Sequence, residues 1–337
     1  MPAVAIPPPF SARNRRSTTS ARQSAPGAEG QVEGPSSSST AGHVAVAAGA
    51  YSEQGPREAE RVGQIGPGFL SLPYRTPKPR SDGLTHVLDK GLSLFALESL
   101  IQTAGDAIDI VKLGWGTSYV SDGVKAKVGL CHAAGIHLSP GGTLLEICEY
   151  QGRITDYQRW LERLGVRHVE VSNGAFGMDT SRKRALIRML SRHFTVLSEC
   201  GSKNPNAEVV AADWVAEMAG DLDAGATLLI AEARESGTVG LYDSDGRPRA
   251  ELVDALVHEL PVDKIIFEAP RKDQQAWFIR RLGPSASLGN IPSDEVVALE
   301  TLRLGLRSDT LDLLPDSGEH LCADDEDPVP PMPPMYH

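Results

Sequence analysis

Eight parallel strands closed into a (β/α)8 TIM barrel is the α/β fold that this sequence predicts. Short apolar segments recur between Ser81 and Thr310, and amphipathic helical stretches separate them. No G-x-G-x-x-G turn follows the first segment, which disfavours a doubly wound open sheet.

The segments read in order as strands: THVLD (85–89), IDIVKL (108–113), GIHLS (135–139), RHVEVS (167–172), FTVLSE (194–199), TLLIAEA (227–233), KIIFEA (264–269) and ASLGN (286–290). Helical patterns such as ITDYQRWLERLG and TSRKRALIRMLSRH fill the intervals. Trp160, Trp214 and Trp277 lie on such stretches and are expected in the outer layer, whereas Trp115, in GWGT, is placed to line the mouth.

The flanks differ from this core. Residues 1–78 are dominated by Pro, Ser, Gly and Ala, with Arg13, Arg15, Arg16 and Arg22 ahead of the first acid, Glu29. Such a segment buries too little apolar surface to offset its ordering entropy, so a disordered extension is expected. Residues 313–337 combine an acidic cluster, Asp324 to Asp327, with a proline run, and predict a solvated, disordered tail. The barrel domain is expected over 79–312.

Composition narrows the function. A net charge of −11 argues against a nucleic-acid binder, while local cations can still hold a small anionic substrate. Four scattered cysteines (Cys131, Cys148, Cys200, Cys322) form no C-x-x-C pair, which points to a reducing, cytoplasmic setting. No apolar run approaches the roughly eighteen residues of a membrane span. Self-association into a homo-oligomer is expected only because barrels often do so.

Charged residues end otherwise apolar strands: Asp89, Lys112, Glu170, Glu199, Glu232 and Glu268. A lone charge there is usually solvated or paired. Their recurrence is different, because strand ends of a parallel barrel gather at the C-terminal mouth, where active sites sit. Carboxylates and lysines around one mouth suit a divalent cation and an anionic substrate. Strand alternation puts Glu232 and Arg234 on one face and turns Glu235 away to brace the loop. Glycine-rich loops follow these ends, and their amides can cradle phosphate or carboxylate. Cys200 beside Glu199 lacks a histidine at a spacing that suggests a nucleophile, and His86, His132, His137 and His168 show no partner in the sequence.

The motifs VLDKGL, DIVKLGWGTS, PGGTLLE, VEVSNG, LSECGSK, AEARESG, IIFEAPRKDQQ, LGNI and EVVALETLRLGLRSDT, in that order from Gly83 to Thr310, together resemble the phosphosulfolactate synthase family, also called coenzyme M biosynthesis protein A-like. That resemblance implies a Mg2+-dependent barrel lyase that adds sulfite to phosphoenolpyruvate and gives (2R)-3-sulfolactate 2-phosphate. It also implies that Lys203, in SECGSK, delivers the proton to C2. On this chemistry Lys112 and Arg234 act on the anion, and Asp89, Lys90, Asn173, Gly237, Gly289 and Asn290 bind substrate. Glu170, Glu199 and Glu232 are the expected metal ligands, with Asp89 and Glu268 behind them. Two positions depart from the family pattern, Asn173 where an Asp is common and Ser202 where a second Lys occurs. The competing expectations are a different nucleophile adding to phosphoenolpyruvate, and a non-catalytic, stress-associated barrel.

Overall fold

The structure is a computed structural model that describes residues 66–201 and 209–315. The expectations for residues 1–65 and 316–337, and for Lys203, lie outside the described residues. Among the described residues eight strands alternate with helices: β1 (Thr85–Asp89), β2 (Ile110–Leu113), β3 (His137–Pro140), β4 (His168–Val171), β5 (Thr195–Cys200), β6 (Leu228–Ala231), β7 (Ile265–Glu268) and β8 (Leu288–Pro292). The helices are α1 (Leu94–Ala104), α2 (Thr117–Val120), α3 (Val124–Ala133), α4 (Gly142–Tyr150), α5 (Ile154–Leu164), α6 (Thr180–Leu190), α7 (Ala211–Asp223), α8 (Ala250–Glu259), α9 (Lys272–Leu282) and α10 (Val296–Arg303). No helix among the described residues is long and apolar enough to cross a membrane.

Every strand pairing is parallel, in the order β3-β2-β1-β8-β7-β6-β5-β4. This is a nearly closed (β/α)8 barrel, as the alternation of segments predicts. Helix boundaries follow local chemistry. Ser93 caps α1 by accepting from the Ala96 amide, and Asp179 caps α6 by accepting from Arg182. Gly165 ends α5 in the left-handed region at φ 78°, which a side chain would resist.

Strand alternation builds two apolar layers. Outward residues such as Val87, Val111, Val169, Val196, Leu229 and Phe267 are fully buried in the core cluster that also takes in the helix faces. Inward, Leu84, Ile110, Leu197, Ile230 and Ile266 form a separate cluster that fills the barrel interior. Above this floor the inward positions become polar.

β3 and β4 lie side by side as the ends of the ladder order. Side chains bridge this seam. The His137 and His168 rings stack with centroids 3.9 Å apart, and Ser139 Oγ donates to Glu170 Oε1 across 3.4 Å. Burial, then the neighbouring His137, pulls the His168 imidazole down to about 3. Burial lowers His137 as well.

A histidine held below its ordinary 6.5 stabilises the fold above that value, and the contribution is lost as pH falls toward 3. Urea unfolding should therefore show wild type losing about 2–3 kcal/mol relative to His168→Phe between pH 6.5 and about pH 4. A pH-independent difference would contradict the stacked neutral pair.

Candidate active site

Lys112 lies at the centre of the polar layer. It is the inward residue of β2 next to the strand end, in register with Leu88 on β1 and Ser139 on β3. Its Nζ is 3.0 Å from Glu170 Oε2, 3.2 Å from Glu268 Oε1 and 3.3 Å from Glu199 Oε2. The three carboxylates come from β4, β7 and β5, and all four residues are buried. Glu170 pairs in register with Leu197, two residues before Glu199 on β5, so it sits one layer deeper.

The charges settle unequally. Burial opposes the Lys112 ammonium, but Glu170, Glu268 and Glu199 together hold it well above its ordinary value. Burial likewise opposes the Glu170 charge, yet Lys112 and His86 bring that carboxyl down to about 2. His86 Nε2 is 3.2 Å from Glu170 Oε1. Glu268 is the group that yields: burial, and the charge of Glu199 against the pull of Lys112, raise it to about 7. One ammonium cannot neutralise three buried carboxylates, so the proton shortage falls on Glu268.

Above this cluster opens a cleft of about 360 Å3. Lys112, Glu199, Glu232 and Glu268 form its floor and wall, while Arg234, just past β6, and Asn290, within β8, reach it as well. The first turn of α4 faces it through Gly142 and Thr143. These positions must be small. A Cβ on Gly141 would stand 2.7 Å from the Trp115 backbone N, and one on Gly142 would stand 2.5 Å from Ser172 Oγ. Among the described residues, Trp115 (φ 52°) and Asn290 (φ 53°) are the non-glycine residues with left-handed backbone, and both line the cleft.

The loop after β6 is fixed from both sides. The Ala233 amide donates to Glu268 Oε2 across 2.8 Å, and Asn290 Nδ2 donates to the Ala233 carbonyl across 3.2 Å. Glu232 and Arg234 flank this clamped residue. Glu235 meets Lys90 Nζ at 3.2 Å, so it braces the loop while also lining the cleft.

The remaining expected residues fall elsewhere. Asp89 is on the outward parity of β1, where Lys127 of α3 contacts Oδ2 at 2.6 Å and the Gly91 and Leu92 amides bond Oδ1. It organises the β1–α1 turn and is not part of the cleft lining. Lys90 is half-exposed and paired with Glu235. Asn173 is partly buried outside the lining, in a loop held by Glu146, which accepts from the Ala175 and Phe176 amides. The Gly237 carbonyl accepts from Gln274 of α9, and Gly289 lies beneath the cleft, close to His86 and Glu268. Cys200 points outward and is fully buried, and burial pushes its thiol well up, which suits an inert core residue. No partner for His86 is legible in the sequence, yet its alternation with Leu84 and Leu88 marks it as an inward residue.

The donors divide when tested against a magnesium ion. Both oxygens of Glu170 are taken, Oε1 by Ser139 and His86 and Oε2 by Lys112 and the Gly142 amide, so Glu170 does not fit. Glu199 and Glu232 bring carboxylates to the cleft and fit an ion of that type, which needs only one or two beside substrate and water oxygens. Among the described residues no group of three or more His, Cys, Asp or Glu is arranged to hold a metal alone.

Comparison with known proteins gives a consistent result. The (2R)-phospho-3-sulfolactate synthase (ComA) family profile matches residues 73–309. The chain is similar to the phosphosulfolactate synthase of Methanothermobacter thermautotrophicus, 42% identical over 72% of this chain and 96% of that one. It is also similar to the phosphosulfolactate synthases of Bacillus subtilis (40%, over 72% of this chain and 97% of that one) and Methanocaldococcus jannaschii (43%, over 68% and 93%).

Replacing Lys112 by Met removes the charge that opposes burial at Glu170 and Glu268. Their folded pKa values then rise, and raised carboxylates cost stability as pH climbs. The variant should lose least near pH 2, where Glu170 takes up its proton, and about 3–5 kcal/mol more by about pH 8, read from urea unfolding. A loss that does not grow with pH would show that Lys112 is not the shared counter-ion.

Proposed function

Because this chain belongs to the (2R)-phospho-3-sulfolactate synthase family, a family of lyase-type enzymes, we propose that it adds sulfite to phosphoenolpyruvate. The product is (2R)-3-sulfolactate 2-phosphate. The observation that carries this reading is a cleft with anion-binding groups on opposite walls and a fixed ammonium at its base.

Phosphoenolpyruvate brings a phosphate and a carboxylate. Arg234 is exposed at the rim, where its guanidinium can make two parallel hydrogen bonds to one of them. The first turn of α4 presents the positive end of its helix dipole to the other, while its Gly142 amide is held by Glu170. The sulfite lone pair on sulfur attacks C3, a C–S bond forms, and the C2–C3 π pair moves onto C2 and the carboxylate. Charge therefore grows on the carboxylate oxygens in the transition state, where fixed positive groups are worth most.

Lys112 serves as such a fixed charge. An ammonium held well above its ordinary value is a poor acid, so it stabilises without giving up its proton. Lys203 is the proposed donor to C2, and delivery from one face sets the configuration. Mg2+ would have Glu199 and Glu232 as its protein ligands and would supply further positive charge to the developing enediolate.

Purified protein with Mg2+ should turn phosphoenolpyruvate and sulfite into a phosphosulfolactate seen by phosphorus NMR. EDTA and Lys203→Ala should each abolish turnover. Arg234→Gln should raise KM for phosphoenolpyruvate by about 10- to 100-fold, the worth of a charged hydrogen bond. No product from the wild-type protein would defeat the proposal.

A further inference from the structure

Behind the cleft, on the outward side of β5, lies a cluster of charged side chains that does not line it. Lys183 of α6 is wholly buried. Its Nζ reaches three acceptors: Glu217 Oε1 at 2.7 Å, Asp221 Oδ2 at 2.8 Å and the backbone carbonyl of Glu199 at 2.7 Å. Asp221 Oδ2 also accepts from Ser198 Oγ across 2.7 Å. Side chains of two helices thus hold residues 198 and 199 from outside the barrel.

The ladder explains why Glu199 needs a donor there. On β5 the Val196 and Cys200 carbonyls bond toward β6, to Thr227 and Glu232, while the Thr195 amide bonds toward β4, to Arg167. Glu199 has the parity of Thr195, so its carbonyl faces β4. The register with β4 ends at the Val171–Ser198 pair, one residue short. Lys183 supplies the missing donor at the residue whose side chain enters the cleft. An apolar residue here would leave that buried carbonyl without a donor, so the lysine is tied to residue 199 and not to packing alone.

We infer that Lys183 is a positioning residue, which fixes the Glu199 backbone from outside the barrel and so sets the Glu199 carboxylate in the cleft. It touches no substrate and acts through β5. The inference rests on the proposed reaction for its kinetic consequence, but its structural part stands apart from that reaction. Outer groups that orient a functional carboxylate are worth about 10- to 100-fold in activity.

Two variants separate positioning from bulk stability. Lys183→Met/Asp221→Asn removes one charge of each sign. Lys183→Arg keeps the charge but offers a planar fork that does not reproduce the single ammonium donor. With phosphoenolpyruvate and sulfite, kcat should fall about 100-fold in the double variant and about 10-fold in Lys183→Arg, with KM for phosphoenolpyruvate within about threefold of wild type. Ser198→Ala, which leaves the Lys183–Glu199 bond intact, should keep kcat within about threefold. In all three, hydrogen exchange at Cys200 and Gly201 is measured alongside melting temperature. Faster exchange in the two Lys183 variants, but not in Ser198→Ala, is expected. Wild-type kcat in folded Lys183→Arg overturns the inference, as does wild-type exchange at these amides. If the wild-type protein shows no turnover at all, the proposed reaction fails, and the exchange rates alone decide the role of Lys183.

Discussion

One buried ammonium, shared by three carboxylates from three strands, is the constraint on which the rest of this barrel depends. Carboxylates taken out of water cost several kcal/mol each unless a counter-charge meets them. Lys112 meets Glu170, Glu199 and Glu268 at 3.0–3.3 Å, and the closed strands bring all four together although Glu170 lies one layer deeper. The apolar floor of Leu84, Ile110, Leu197, Ile230 and Ile266 lies in the same interior. Removal of water there strengthens the ion cluster and makes any unpaired member expensive.

The cluster also arranges the loops that shape the cleft. Glu268 divides its oxygens between Lys112 and the Ala233 amide, which links the charge centre to the turn carrying Glu232 and Arg234. Asn290 holds the same residue by its carbonyl, at the cost of a left-handed backbone. Glu170 reaches the other way, to the first amide of α4 and to Ser139 across the β3–β4 seam. One set of side chains thus helps to close the barrel, aim a helix terminus and fix the β6 loop.

Much of this was legible in the sequence. Eight apolar segments, six of them ending in charge, pointed to the barrel, and period-two alternation separated Glu232 and Arg234 from their neighbours. Family motifs running through the whole core pointed to the family. Asp89 shows where strand-end reasoning overreached. It shares its parity with Val87, not with the inward Leu88, and its carboxylate organises a turn and pairs with Lys127. Glu170 was placed among the metal ligands because its depth depends on the stagger between strands, which no single segment encodes. Nothing in the sequence sets Lys127 and Lys183 apart from other helix lysines. Their partners lie 38 and 16 or more residues away, so only the packed structure shows that they are buried.

The central claim is that Lys112 remains a cation because three carboxylates surround it. The most direct measurement is a pH titration of the Lys112 ammonium by NMR in protein labelled with 15N-lysine. The account predicts that its resonance keeps the shift of a protonated amine through 10.5, where an ordinary lysine loses its proton. Titration at or below that value would contradict it.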